Sequence, residues 1–487
     1  MAKFYITTAI DYANAPPHLG HAFEKIQADV LARWHRQKGD EVLYLTGTDE
    51  HGAKIARAAE VTSKDRQEFV DELAERFRSM KEALNLSWDD FIRTTDRERH
   101  WLGAKMMWEK LVAAGKIYKK KYQGLYCVGH EAFVTQKDLV DGKCADHGKA
   151  PEVVEEENYF FKLSDYSVEI GKRIKNRELR ILPETREHEI LSLIAHEGLQ
   201  DVSFSRSRKD LVWGIPVPGD ETQTMYVWCD ALTSYLSAIG YGQPTTYNLK
   251  AKSFEEWWPA DVQVIGKDIL RFHAAIWPGM LLAAGLPLPR EILVHGFITV
   301  EGQKMSKTIG NVLDPFALVE KYGTDAVRYY LLREIPTGED GDFSEAKFRE
   351  RYNADLANGL GNFAARVLTL GEKQGEMMHD GVDSEIESQV QKVRGWVDGK
   401  VRDFKLHEAL GHIGELISFG DAYVNRTKPW ETNDKEVILN LVVLLDNIAG
   451  LLAPFLPTTA EKITKSIAWQ KTTLRAKKIE NLFPRLS

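Results

Sequence analysis

Two short runs rich in β-branched and aromatic residues, KFYITTA (3–9) and EVLYLTG (41–47), are separated by HAFEKIQADVLARWHRQKG, whose Phe23, Ile26, Val30 and Trp34 recur at helical spacing. Together they read as one βαβ unit. Two more strand-like runs, DVQVIGKD (261–268) and EILVHGFITV (291–300), flank the helical stretch ILRFHAAIWPGMLLAAG. A chain written this way folds as α/β, with a Rossmann-type, doubly wound parallel sheet.

The two halves of that sheet are separated by about a hundred residues of different texture, rich in charge and holding two of the three cysteines. A connective insertion explains this better than a loop. After residue 350 strand signals nearly vanish, and ADLANGLGNFAARVLTLGEK, KLHEALGHIGELISFGDAYVNRT and DKEVILNLVVLLDNIAGLLAPFL have helical periodicity. The expected order is a first half of the sheet domain at 1–115, an insertion at 116–225, a second half of the sheet domain at 226–297, a loop region at 298–348, and an α-helical domain at 349–487.

Composition narrows the function classes. Charged residues at 28%, hydrophobic ones at 43% and a net charge of −8 describe an ordinary globular chain, not one that coats nucleic acid by bulk attraction. The basic runs KIYKKK (116–121) and KITKSIAWQKTTLRAKK (462–478) read as solvated faces when taken alone. Three cysteines make no disulfide framework and fit a reducing compartment. The amino terminus lacks a signal peptide's apolar core, and VILNLVVLLDNIAGLLAPFLP carries Asn440, Asp446 and Asn447, so it reads as a bundle helix. The expectation is a cytoplasmic protein with no membrane partner.

In open α/β sheets ligands bind beyond the carboxyl ends of the strands. There the sequence places HLGH (18–21), TDEHG (48–52), Lys267-Asp268 and VEGQKMSKTIGN, four polar clusters fit for a nucleotide. Histidines at H-x-x-H spacing serve equally as a metal pair, as core residues or as donors to a phosphate. Pro16-Pro17 starts a helix near His18, so an anion there would meet free N–H groups, and Gly20 lets a flat base lie against the backbone. Lys304 and Lys307, on a loop flanked by Gly302 and Gly310, suit a pyrophosphate leaving group; a solvated charged loop has the same composition.

HLGH and KMSKT resemble the HIGH and KMSKS motifs of class I aminoacyl-tRNA synthetases. TTAIDYANAPPHLGH, TGTDEHG, YVWCDALTSYLSAIGY, VIGKDILRFHAAIWP and KMSKTIGNVLDP, in that order, resemble the methionyl-tRNA synthetases, and the resemblance covers nearly the whole chain. It implies a ligase that activates L-methionine with ATP and Mg2+ to methionyl-adenylate, then transfers it to the 3′ end of tRNA(Met) with a CAU anticodon. The alternative is a synthetase-like protein that binds tRNA or nucleotide without aminoacylation.

By the same resemblance His18, Gly20, His21, Lys304 and Lys307 bind ATP, with the two histidines and two lysines catalytic. Asp49 holds the α-amino group of methionine, and Ile10, Tyr12, Trp228, Ala231, Leu232, Tyr235, Ile269 and His273 form its pocket. Asn362, Arg366 and Trp430 match anticodon-reading positions, with Asn358 preceding them at helical spacing. Cys127-x-x-His130 and Cys144-x-x-His147 form two knuckles able to close one structural Zn2+ site. His130 departs from the family's usual cysteine, Thr308 from its usual serine, and Asp11 stands where an uncharged residue is expected at the pocket mouth. No dimerising appendage follows the bundle in this sequence, so the expectation is a monomer.

Overall fold

The computed structural model describes residues 1–129, 132–134, 138–146, 148–243, 253–305, 310–379 and 381–486, with backbone alone at 122–123, 132–133, 154–156 and 304. The chain divides into two compact units. The first comprises Met1–Pro17, Gly39–Ser79 and Trp88–Val294; the second comprises His18–Lys38, Met80–Ser87 and His295–Ser487.

The first unit is built on the parallel sheet. Strand Lys3–Thr8 pairs in parallel with Glu41–Asp49 on one side and Val262–Gly266 on the other, so the strand order reverses at this first strand. That reversal is the topological switch point expected of a doubly wound fold. Asp90–Arg93 and the two-residue strand Asp11–Tyr12 also pair in parallel with Glu41–Asp49, and Glu291–His295 lies beyond Val262–Gly266. The apolar core of the unit gathers Tyr5, Leu43, Leu45, Ile265, Ile292 and Val294 from these strands with Trp108, Leu236 and Trp277 from helices.

The outermost strand corrects the expected extent of the insertion. Arg180–Leu182 pairs in parallel with Glu291–His295, so the main sheet takes the chain back inside the 116–225 stretch. Three residues between two helices carry too little pattern to announce a strand. The other described strand pairs of that stretch are antiparallel: Ile117–Cys127 runs against Glu152–Phe161 over nearly its whole length, with Val202–Ser203 and Ala132–Val134 completing four strands.

A single long helix was the expectation for ILRFHAAIWPGMLLAAG. Instead a 3-10 turn at Lys267–Ile269 and a π-turn at Phe272–Ile276 precede the α-helix Trp277–Ala283. Pro278 lies in that helix's first turn, where its missing N–H costs nothing, and the wider turn before it absorbs the break in hydrogen bonding.

In the second unit, helix Leu19–Gln37 is buried along most of its length, polar residues included: Glu24, Lys25, Gln27 and Asp29 are all inside. Helices Asn362–Gln374, Ser384–Arg402, Leu406–Thr427 and Lys435–Leu452 form the expected bundle. Ile386, Val390, Val393, Val397 and Val401 make the buried stripe of one of them. The purely helical expectation needs one correction. Ile467–Gln470 and Thr473–Ala476 form a hairpin that pairs with Glu376–Met378, so the basic run near the carboxyl end is partly a small sheet. Lys471 turns that hairpin at φ 33°. Among the described residues no helix is long and apolar enough to cross a membrane.

The joint of this unit is ionic. Arg328, fully buried on helix Thr324–Glu334, places Nη2 2.8 Å from Asp29 Oδ2 and donates to the carbonyls of Phe455, Pro454 and Leu84 at 2.8, 3.0 and 3.1 Å. Asp29 also accepts from Arg33 Nε at 2.8 Å and from the Ser87 N–H and hydroxyl at 2.7 and 2.6 Å. Removing one member strands the others without water. Arg328→Met should therefore lower stability by about 3 to 5 kcal/mol, read as a lower urea midpoint in far-UV circular dichroism. An unmoved midpoint would show that the ion pair is not a joint.

Candidate active site

The second unit contains the H-x-x-H motif, and the structure gives each histidine a backbone task. His18 is the N-cap of helix Leu19–Gln37, and its Nδ1 accepts the Gly20 N–H at 3.1 Å. His21 reaches back, its Nδ1 accepting the His18 N–H at 3.0 Å. This is a capping box made of two imidazoles in place of the usual hydroxyl and carboxylate. A ring nitrogen that accepts carries no proton, so each ring keeps its hydrogen on Nε2. Burial, followed by His18, Lys25 and His295, pushes the pKa of His21 well below the ordinary histidine value. The rings stack at 3.8 Å between centroids. The result is a pair of neutral N–H donors at the positive end of a helix.

Gly20 has a second reason to be glycine besides the one expected. A Cβ there would lie 2.9 Å from His18 Cε1 and 4.0 Å from Met305 Cε, so the space is shared by the capping ring and by the K-M-S-K segment. The Leu19 N–H donates to the Leu313 carbonyl at 3.1 Å. The two signatures thus meet at both ends of the lysine loop. Lys304 ends the short strand Gln303–Lys304, paired antiparallel with Ile298–Val300, while Lys307 and Thr308 lie outside the described residues.

Beneath the histidines is a buried charge cluster that sequence reasoning missed. Glu24 Oε1 lies 2.9 Å from Lys25 Nζ and Oε2 lies 3.1 Å from His295 Nε2. Burial opposes the Glu24 charge, but Lys25 and His295 hold its carboxyl below the usual range. The signal was present: Glu24, Lys25 and Asp29 stand among the apolar residues of FEKIQADV.

The first unit contains every residue expected around methionine. Asp49 is the last residue of its strand, paired with Tyr12, and its carbonyl accepts the Ala13 N–H at 2.8 Å. Trp228, Ala231, Leu232 and Tyr235 share one face of helix Val227–Ser237. Ile10, Tyr12, Trp228 and Ile269 flank the core cluster that includes Leu232 and Tyr235. The Ile269 carbonyl fixes the proton of His273 on Nδ1, at 3.1 Å, leaving Nε2 to accept from the Tyr235 hydroxyl at 2.8 Å. Phe272, which sequence reasoning passed over, stacks on Trp228 at 3.8 Å. Asp11 is buried. Cys229 is buried and its thiol pKa is pushed far up by burial, which makes it a poor metal ligand.

Of the expected zinc ligands, Cys127 and Cys144 are buried in one small cluster with Val134. His130 and His147 lie outside the described residues. Among the described residues no three potential ligands gather to hold a metal.

The expected anticodon residues divide. Arg366 and Trp430 come together, the guanidinium carbon 5.6 Å from the ring centroid, and Arg366 Nη2 donates to Asn425 Oδ1 at 2.9 Å. Trp430 is 51% exposed, so the stacked cation leaves half of the side chain open. Asn362 is exposed one turn before Arg366. Asn358 belongs to a π-helical stretch, Tyr352–Gly361, so the α-helical spacing holds only from Asn362 onward. Leu356, Leu360, Phe363 and Val367, from the same stretch of chain, are buried.

Comparison with known proteins agrees with this geometry. Residues 4–147 and 134–368 match the family described as tRNA synthetases class I (M), and 383–484 match the anticodon-binding domain of tRNA ligase. A methionine–tRNA ligase of Clostridium acetobutylicum is 40% identical over 99% of this chain and 78% of its own length. One from Brucella melitensis is 42% identical over 96% of this chain and 92% of its own. The structure of Mycobacterium tuberculosis methionyl-tRNA synthetase in complex with methionyl-adenylate aligns with a TM-score of 0.92 at 37% identity, covering both chains in full. The chain belongs to the methionine–tRNA ligase family of class I tRNA synthetases.

Proposed function

We propose that this chain joins L-methionine to the 3′ end of tRNA(Met) in two steps, with ATP consumed in the first. The methionine carboxylate attacks the α-phosphate, giving methionyl-adenylate and pyrophosphate; the acyl group then passes to the terminal ribose, releasing AMP. The observation that carries this reading is the histidine capping box. Two neutral N–H donors fixed at a helix N-terminus suit an α-phosphate whose oxygens gain charge as the fifth bond forms.

Lys304 and Lys307 take the pyrophosphate side in this reading, and the approach of Met305 to Gly20 supports it. Mg2+ arrives with ATP, bound through phosphates and water. Asp49 accepts the α-ammonium of methionine, and the Trp228, Tyr235 and His273 wall meets the thioether, which is polarizable and favours aromatic contacts. Because apolar fit discriminates weakly between side chains one methylene apart, orientation of the backbone groups contributes the rest.

The proposal extends to the remaining parts. The bundle reads a CAU anticodon through Asn362, Arg366 and Trp430, the exposed indole stacking an unpaired base. Zn2+ is held by Cys127, His130, Cys144 and His147 as a structural cross-link, supported by two buried thiols brought into one cluster. The same reading makes the protein a cytoplasmic monomer. In this reading the order of domains is the one expected from the sequence, with 180–182 belonging to the main sheet and with His18–Lys38 and Met80–Ser87 grouped with the carboxyl-terminal unit.

His21→Ala should reduce methionine-dependent ATP–pyrophosphate exchange by about a hundredfold or more, the usual cost of losing one preorganised donor. Exchange near the wild-type rate would remove His21 from the chemistry. Because the His21 pKa is depressed, protonation that would break its cap occurs only well below 6.5, and the exchange rate should show no His21 inflection above that pH. Trp430→Ala should raise KM for tRNA by about tenfold in aminoacylation, the cost of one lost stack. An unchanged KM would exclude Trp430 from anticodon reading.

A further inference from the structure

Beyond Asp49 the chain is held from two sides. Glu50, fully buried, accepts from Arg93 Nε and Nη2 at 2.7 and 2.9 Å, and its own N–H donates to the Thr94 hydroxyl at 2.8 Å. His51, also buried, places Nδ1 2.6 Å from Asp230 Oδ2. The other oxygen of Asp230 lies 2.5 Å from His100 Nε2, and His100 Nδ1 lies 2.8 Å from the Ser237 hydroxyl. A carboxylate can only accept, so both imidazoles turn an N–H toward it. Burial works against the Asp230 charge, and His51 and His100 keep its carboxyl below the usual range.

Three elements meet at this carboxylate. His51 follows the strand that ends in Asp49, His100 opens helix His100–Ala113, and Asp230 and Ser237 belong to helix Val227–Ser237. That last helix has two faces. Trp228, Ala231, Leu232 and Tyr235 cluster on one, while Asp230, Ser234 and Ser237 project from the opposite side at about 100° per residue. The approach on this second side is close: a Cβ on Gly103 would lie 2.7 Å from Ser237 Cβ. One face of the helix is therefore the pocket wall and the other is its anchor. Neither two-step chemistry nor substrate contact uses the anchor.

We propose that Asp230, acting through His51 and His100, is a positioning residue that fixes the distance between the Asp49 carboxylate and the methionine side-chain pocket, and so selects amino acids by length. The proposal rests on the reading that Asp49 holds the α-ammonium and that the Trp228 face lines the pocket. The amino acid is gripped at both ends, and a rigid joint between the grips penalises a side chain that is one methylene too long. A joint that has lost a buried hydrogen bond yields, so the penalty shrinks while the affinity for methionine also falls.

The test is ATP–pyrophosphate exchange with methionine and with ethionine, which is longer by one methylene. His51→Ala and His100→Ala each remove one donor to Asp230. His51→Asn and His100→Gln keep an amide N–H near the position of the lost ring N–H. In the alanine variants KM for methionine should rise about tenfold and the methionine-to-ethionine ratio of kcat/KM should fall by a similar factor, with KM for ATP within about twofold. The amide variants should recover most of both effects. A merely structural role reduces the fraction of active enzyme and leaves KM and the ratio where they were, and that result overturns the proposal.

Ser237→Ala covers the case in which the alanine variants fail to fold. It removes only the outer hydroxyl from His100, and a shift of the ratio in the same direction is expected; an unmoved ratio in that folded protein overturns the proposal. Asp49→Ala separates the underlying reading. If wild type gives no methionine exchange, or if Asp49→Ala leaves KM for methionine unchanged, the functional reading fails and takes the proposal with it. If both controls behave as expected and the ratio does not move, the joint alone is refuted.

Discussion

A carboxylate withdrawn from water is costly unless donors satisfy both of its oxygens, and in each compact unit of this chain one such group ties several elements together. In the unit with the helical bundle it is Asp29, with Ser87 on one oxygen and Arg33 and Arg328 on the other. In the unit with the parallel sheet it is Asp230, with His51 on one oxygen and His100 on the other. Apolar packing tolerates small slips of one helix on another, because dispersion depends weakly on direction. A doubly satisfied buried charge does not, since any slip that breaks a bond leaves a charge uncompensated. The two carboxylates therefore turn a packed arrangement into a single one.

That uniqueness reaches the chemistry through short lengths of rigid chain. Asp29 sits on the helix that begins with the histidine capping box, two turns beyond His21. The helix cannot rotate about its axis without losing Ser87 or Arg328, so the Nε2–H directions of His18 and His21 are set by the joint as well as by the cap. Asp230 acts in the same manner on Asp49, two residues before His51. In both units the residue assigned to substrate and the residue that holds the element are different, and only the first is a short motif.

This division explains what was legible in the sequence. The parallel sheet and the helical tail follow from local periodicity and were readable as strings, whereas the residues expected around methionine came from the resemblance of whole motifs to a family and not from any period. Arg180–Leu182 was not readable, because a three-residue edge strand is defined by its neighbour Glu291–His295 and has no period of its own. The hairpin at Ile467–Ala476 was hidden for a related reason: Lys471 and Arg475, with the lysines that flank it in sequence, read as a charged face, and the alternation that marks a strand is only a few residues long. Helical winding was overextended at Phe272–Ile276 and at Tyr352–Gly361, where π-turns replace the α period. Buried joints are the least readable of all. A charged residue inside an apolar helix shows that a partner exists, but Arg328 is hundreds of residues from Asp29 and nothing local names it.

The histidines show how far structure can decide chemistry before any substrate is considered. At His18 and His21 a backbone N–H occupies Nδ1, so the ring offers Nε2–H. At His273 a carbonyl takes the Nδ1 proton, so Nε2 becomes an acceptor for Tyr235. At His51 and His100 the carboxylate of Asp230 draws one N–H from each ring. In each of these places a partner fixes which ring nitrogen carries the proton. Acyl activation by direct attack on a phosphate forms no covalent enzyme intermediate and calls for no proton relay through the protein. What it calls for is dipoles that already point where charge will develop, and a ring whose tautomer is fixed by the backbone is such a dipole.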